Sequence, residues 1–370
     1  MTSALIDRVR HRLAGADMEM TAAVVAHAVR SEAGGVLADS DVLEALQVLR
    51  QEFSGTGPLD PLLADPGTTD VLVTAPDQVW VDGTRGLHRT GVTFPDEDAV
   101  RRLAQRLAVA AGRRLDDASP CVDGWLPDSG VRLHAVLPPI ADRTCLSLRV
   151  LRPATHDLQT LRELGTFDAE IAEALRAIVR QRLAFLVIGG TGSGKTSLLS
   201  ALLGCVPQHE RIVCVEDASE LQPDHPQFVR LTARPANVEG AGEVTTRELV
   251  REALRMRPDR IVVGEVRGAE VRELLMSLNT GHEGGAGTLH ANSPAEVPAR
   301  LEALGALSGL TPQALHSQVA AALRLVLHMR RDGSTRYLNE IGKFERTATG
   351  LEVRPVWTRD HGWHEEELPW

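Results

Sequence analysis

AFLVIGGTGSGKTSLLSALL, residues 184–203, runs from an apolar stretch through a glycine-rich turn into a lysine, a threonine and a second apolar stretch. Gly189, the four residues Gly190, Thr191, Gly192 and Ser193, then Gly194, Lys195 and Thr196 fit the G-x-x-x-x-G-K-[ST] pattern of a phosphate-binding loop. The flanks fit the strand and helix that such a loop joins. Backbone N–H groups wrap a triphosphate only where no Cβ blocks their approach, so the glycines are required by the chemistry. The lysine reaches the β- and γ-phosphates, and the threonine hydroxyl sits on Mg²⁺. Residues 189–197, Ser197 included, are therefore the expected ATP-binding set, with ATP and Mg²⁺ as cofactors.

Composition supports the reading. Only Lys195 and Lys343 are lysines among the 40 basic residues. Arginine serves elsewhere, and a lysine kept in the loop marks a place where a compact charge on a flexible stem is needed. At 370 residues, 43% hydrophobic and 24% charged, the chain is globular and long enough for two or three domains. A net charge of −10 argues against a general nucleic-acid binder. No run of about 18 apolar residues occurs, so the expected location is cytoplasmic or peripheral at the inner face of a membrane. The spacing of Cys121, Cys145, Cys205 and Cys214 suits no CxxC zinc site, and free thiols are expected.

Outward from the loop, the chain reads as an N-terminal helical segment (1–55), a small α+β domain (56–151), a linker (152–166), an α/β ATPase domain (167–346) and a C-terminal strand and tail (347–370). A capping box from Asp41 to Glu44 opens a helix in the first segment. GTGPLDPLL, from Gly55, marks the first boundary. The second domain carries strand-like runs at 69–75, 78–83, 130–137 and 144–151, and a helix capped near Asp96 and ended by Gly112. From residue 167, helices alternate with apolar strands, the pattern of a parallel sheet covered on both faces. Strands are expected at 211–216, 260–265 and 286–290. Helices are expected from the Thr245–Glu248 capping box, over 268–279, and from Ser293 with Pro294 first and Glu296 closing a box. Strands at 324–331 and 337–346, joined at Asp332 and Gly333, close the domain.

Open α/β sheets bind ligands at the carboxyl ends of their strands. Two apolar runs end there in acid, IVCVEDASE with Glu216 and Asp217, and IVVGEVRG with Glu265. Such a carboxylate holds Mg²⁺ through water, or orients and deprotonates the attacking water. The alternative for each is a cap or a salt bridge, and that alternative weighs most for Asp217 and Glu220. In TGHEGGAGTLHAN, His282 and His290 flank glycines that let backbone approach a ligand, which suits imidazoles that sense the γ-phosphate.

GGTGSGKTS, VEDASEL, ALRMRPDRIVVGEVRGAE and NTGHEGGAGTLHANSP, in this order, resemble the Walker A, Asp box, Walker B and His box of the type II and type IV secretion traffic ATPases. GPLDPLL, GRRLD, VDGWLPDSGVRLHAVLPP and CLSLRV resemble the N-terminal domain of the CpaF-like Tad/Flp pilus assembly branch. The resemblance implies a RecA-like P-loop ATPase domain preceded by a PAS-like α+β domain, assembled into a homohexamer that works on an inner-membrane platform protein; from the acidic charge, no direct contact to nucleic acid is expected. It implies Glu216 as the base, Glu265 as an acid holding Mg²⁺ through water, and Arg132 and Arg149 as arginines that reach the γ-phosphate. Which glutamate is the base stays open. WLPDSGVR departs from the family's Arg-Leu-Pro-Asp-Gly-Ser stretch, with Trp125 at the arginine.

The expected function is thus an ATP-hydrolysing motor for pilus assembly or protein secretion. A conjugation-associated or DNA-transport ATPase of the RecA class is one alternative, and an ATP-binding switch with negligible turnover is another. The absence of an N-K-x-D motif speaks against a GTPase.

Overall fold

The computed structural model describes residues 28, 31–32, 55–127, 129–151, 156–237, 240–333, 335–348 and 350–364. The helix expected from Asp41 and the last residues of the expected tail lie outside the described residues. Contacts divide the chain into two compact units at Leu151/Arg152. No helix among the described residues is long and apolar enough to cross a membrane.

In the first unit, a short helix α1 (Asp60–Ala64) precedes strands β1 (Thr68–Ala75), β2 (Gln78–Gly83) and β3 (His88–Arg89). Helix α2 (Glu97–Ala110) and strands β4 (Cys121–Leu126), β5 (Val131–Val136) and β6 (Cys145–Val150) follow. The strands form one antiparallel sheet in the order β3-β2-β1-β6-β5-β4. β3 and β4 extend the sheet beyond the four expected strands. Alternation assigns the faces: Val71, Val73, Val79, Val81, Leu133, Leu146 and Leu148 turn inward onto Val100, Leu103 and Leu107 of α2. α2 starts where expected, with Asp96 accepting a hydrogen bond from the Ala99 N–H at 2.7 Å. The opposite face carries a register row of Asp70, Arg149, Arg132 and Trp125 across β1, β6, β5 and β4.

The second unit is a nine-stranded sheet. In chain order it contains α3 (Leu158–Glu163), α4 (Ala169–Arg180), β7 (Phe185–Ile188), α5 (Lys195–Leu203), β8 (Ile212–Glu216), β9 (Phe228–Thr232), α6 (Thr246–Ala253) and β10 (Arg260–Val263). It continues through α7 (Val271–Leu278), β11 (Ala286–Leu289), α8 (Val297–Leu307), α9 (Pro312–Ala322), β12 (Leu325–Asp332), β13 (Thr335–Arg346), β14 (Leu351–Thr358) and β15 (Gly362–Trp363). The order is β15-β14-β13-β12-β7-β11-β10-β8-β9. The six strands from β12 to β9 are parallel, and β13 to β15 form an antiparallel meander on the β12 edge. One face packs on α3, α4 and α5 through Leu158, Leu175, Leu198 and Val187; the other packs on α6 to α9 through Val250, Leu274, Leu301, Val319 and Leu186. β7 is buried at all four positions, as a central parallel strand must be. This is the RecA-like arrangement of strands around a phosphate-binding loop.

Four local expectations are corrected. Residues 152–166, expected as a linker, contain α3, capped by Asp157 and seated in the core through Leu158 and Leu161. Between β8 and α6, where no strand is expected, the chain adds β9, a parallel edge strand. The helix expected over 268–279 begins at Val271, because Glu270 folds back to accept the Arg267 and Gly268 N–H groups. Ser293 makes no cap; a 3₁₀ turn over Pro294–Glu296 intervenes, and the Glu296 carboxylate accepts from the Asn292 N–H at 3.0 Å. The Thr245–Glu248 capping box forms as expected.

A buried charge network fixes the end of the sheet where β10 begins. Arg260 is 1% exposed; its Nε donates to Glu210 Oε2 at 2.7 Å and its Nη2 to the Val179 carbonyl at 2.9 Å. Arg182 Nη2 lies 3.0 Å from Glu210 Oε1. Burial acts to raise the Glu210 carboxyl, but the hydrogen bonds and charges of Arg260 and Arg182 outweigh it and hold the group below the usual carboxylate range. Removing one partner of such a pair leaves an uncompensated charge in the core. Glu210→Ala is expected to cost about 3–5 kcal/mol of stability, measured by denaturant unfolding.

Candidate nucleotide site

The loop after β7 turns because its glycines allow backbone conformations closed to other residues. Gly189 sits at φ +145°, and a Cβ there would fall 2.3 Å from the Met329 carbonyl oxygen. Gly194, at φ +94°, caps α5. Lys195, the first residue of α5, is 8% exposed, and its Nζ donates to the carbonyls of Gly189 (3.0 Å) and Gly190 (2.8 Å). Burial lowers the Lys195 ammonium below its ordinary value, while the carboxylates of Glu265 and Glu220 act to raise it.

Acids approach the loop from the neighbouring strands. The Thr196 hydroxyl, one residue on, donates to Glu220 Oε2 at 3.3 Å. Glu265 follows β10, half exposed, with His290 Nε2 3.4 Å from its Oε1. Burial and then the Lys195 charge push the His290 imidazole below its ordinary value. The ring therefore meets Glu265 as a close polar contact rather than as an ion pair. His290 and Gly189 also line one recess of about 480 Å³ with Asn292, Glu296 and Arg300.

The structure thus gathers Lys195, Thr196, Glu265 and His290, and it adds Glu220, whose alternative reading was a helix or turn cap. Glu216 is placed otherwise. It is 3% exposed, its Oε1 accepts from the N–H groups of Glu220 (3.2 Å) and Leu221 (3.0 Å), and its Oε2 pairs with Arg230 Nε at 3.1 Å. Burial raises its carboxyl against those partners. Both oxygens are committed to shaping the segment that presents Glu220. Asp217 pairs with Arg267 at 2.5 Å. His282 is not beside His290: its Nδ1 donates to the Ser277 carbonyl at the end of α7 (3.1 Å). Arg132 and Arg149 belong to the first unit, where Arg132 forks onto Asp123 (2.9 and 2.8 Å) and lies 6.0 Å from the Trp125 ring centroid. Arg149 pairs with Asp70 at 3.1 Å.

Glu220, weighed in the sequence between a functional acid and a cap, is separated from Glu216 by a turn whose course is fixed by hydrogen bonds to Glu216 itself. Two residues escaped the sequence. Arg336, on β13, donates from Nε to the Gly192 carbonyl at 2.8 Å across 144 positions of sequence. His328, on β12, pairs in register with Ile188 at the root of the loop.

Comparison with known proteins places this geometry in a family. The family described as Type II/IV secretion system protein matches residues 52–352. A putative conjugal transfer protein of Mycobacterium tuberculosis is 63% identical over 334 residues, covering 88% of this chain and 95% of that protein. The probable conjugal transfer protein TrbB of Sinorhizobium fredii is 31% identical over 255 residues, covering 68% of this chain and 76% of that protein. The ATPase DotB of Legionella pneumophila shares the fold with a TM-score of 0.51 at 19% identity, over 86% of this chain and 81% of that chain.

His328 gives the site's support a pH dependence. It is 4% exposed, its Nδ1 has no hydrogen-bond partner, and burial, reinforced by the Arg330 charge, lowers it to about 4. The unfolded chain takes up that proton near pH 6.5, whereas the native chain resists it until about pH 4, so acid favours unfolding. Urea unfolding is expected to show this histidine's share as a loss of about 2 kcal/mol between pH 7 and pH 5, absent from His328→Leu.

Proposed function

The chain belongs to the Type II/IV secretion system protein family, and from that membership we propose that it is an ATP-hydrolysing motor of a type IV secretion or pilus machine. The observation that carries the proposal is the convergence of Lys195, Thr196, Glu220, Glu265 and His290 on one glycine-rich loop. Hydrolysis needs phosphate held, charge neutralised and a water oriented, and this set supplies a group for each task.

Mg²⁺ fits the donors at the head of α5. A hydroxyl and a carboxylate are hard oxygen ligands, and Mg²⁺ prefers a few of these with phosphate oxygens and water completing its shell. Thr196 and Glu220 would hold it, and once bound it would neutralise charge on the β- and γ-phosphate oxygens. Lys195 moves from the loop carbonyls to the phosphates at little cost, since its stem is flexible and its ammonium is already partly desolvated. Glu265 takes the role of orienting and deprotonating water. His290, neutral and within reach of that carboxylate, steadies it and registers the charge of the γ-phosphate. Glu216 then acts as a positioning residue, holding the turn that carries Glu220.

The finer assignments follow the resemblance in sequence. Residues 56–151 act as a PAS-like domain whose Arg132 and Arg149 exchange their carboxylates for the γ-phosphate when ATP binds, coupling occupancy to domain motion. The working form is a homohexamer in the cytoplasm, applied peripherally to an inner-membrane platform protein. GPLDPLL and CLSLRV favour the Tad/Flp branch. A second reading, a motor associated with conjugation, is favoured by the conjugal-transfer names of two relatives. The two share their ATP chemistry and part at the cargo: a DNA-transporting motor gains turnover from added DNA, with a steep salt dependence, and a protein-moving one does not.

In steady-state phosphate release, Lys195→Ala and Glu265→Gln are each expected to lower kcat by about 100-fold or more. Parent-like rates in either would remove the assignment. Arg149→Ala is expected to slow turnover while titrations show nucleotide still bound.

A further inference from the structure

The site has a direction. Thr196, Glu220, Glu265 and His290 mark the flank of the loop toward β11, β10 and β8 as the γ-phosphate and Mg²⁺ end, on the function proposed above. A triphosphate laid along the loop then sends its nucleoside to the other flank, where the sheet continues as β12 and β13. A recess of about 500 Å³ reaches there from the end of β11, lined by Asn292, by Thr191 and Ser193 of the loop, and by His328, Arg330 and Arg331 of β12 in the β12–β13 hairpin. Its size suits a small ligand or a fragment of one.

Two arginines of the hairpin face the crown of the loop, and their bonding separates their roles. Arg336 is spent on the loop, through its Nε bond to the Gly192 carbonyl. Arg331 is held from behind: its Nε donates to the Gly333 carbonyl at 2.7 Å, which fixes the plane of the guanidinium within its own hairpin turn. Its Nη1 comes within 3.1 Å of the point where a Cβ at Gly192 would stand. A flat, anchored cation thus borders the recess, and no Phe, Tyr or Trp is among the residues that line it.

We propose that Arg331 is a nucleoside-contacting residue, its guanidinium lying against the base of ATP and distinguishing a nucleotide from a bare polyphosphate. A guanidinium stacks on a flat π-system and keeps its charge while doing so, whereas an ammonium on a flexible stem does not stack. The contact depends on planarity, and the phosphates gain nothing from it.

Calorimetric titration of the full chain with ATP and with inorganic tripolyphosphate, both with Mg²⁺, tests this. Arg331→Ala and Arg331→Lys are both expected to weaken ATP binding by about five- to tenfold and to leave tripolyphosphate binding unchanged. Equal weakening of both ligands would make Arg331 a phosphate contact and overturn the assignment, as would unchanged ATP binding in either variant. Failure of the parent chain to bind either ligand would instead overturn the proposed function, and this assignment with it.

Discussion

Lys195 lies under its own loop, its ammonium bonded to the carbonyls of Gly189 and Gly190, and the second unit is arranged to make that placement cheap. A cation can be buried there because carbonyls receive it and two carboxylates, Glu220 and Glu265, stand close enough to favour its charge. The loop holds its course because Gly189 presses on β12, Gly194 caps α5 and Arg336 ties Gly192 to β13. Two of the three come from neighbouring strands of one sheet, β12 and β13, and the third from the start of α5. The sheet is therefore the frame on which the loop conformation depends.

That frame explains the division of labour among the acids. Glu216 ends the most buried run of its strand, in the place where fold rules put a catalytic carboxylate, yet the following turn bends back and consumes both oxygens. Burial, two amides and Arg230 make it a structural anchor. Glu220, four residues later and less buried, is the acid that reaches the threonine of the loop. Two carboxylates in one short segment thus have separate tasks, one setting the turn and the other meeting the site.

The loop, the cap of α2 and most strands, though not β3, β4 or β9, were legible because periodicity and glycine placement are local properties: IVVGE reads as a buried strand, and Asp96 reads as a cap. The acids were legible as a class, but not by role. The choice between Glu216 and Glu220 rests on hydrogen bonds within a turn, and alternation says nothing about a turn. His290 and His282 share a glycine-rich segment, yet strand β11 runs between them, and only His290 follows its carboxyl end. Arg336 and Arg331 were invisible for another reason, since register across β12 and β13 sets their reach and 38 arginines offer no contrast. α3 hid in a stretch read as a linker because six residues carry too little periodicity to announce a helix. Its cap, Asp157, was the one local sign.

The surrounding structure is thus a device for holding five side chains around one loop, and the central claim is that the device turns ATP over. Phosphate release by the purified full chain at saturating ATP, followed with Mg²⁺ present and then after chelation, tests it most directly. Sustained release that stops on chelation is the predicted result. Tight ATP binding without release above background would contradict the account and leave a nucleotide-binding switch in its place.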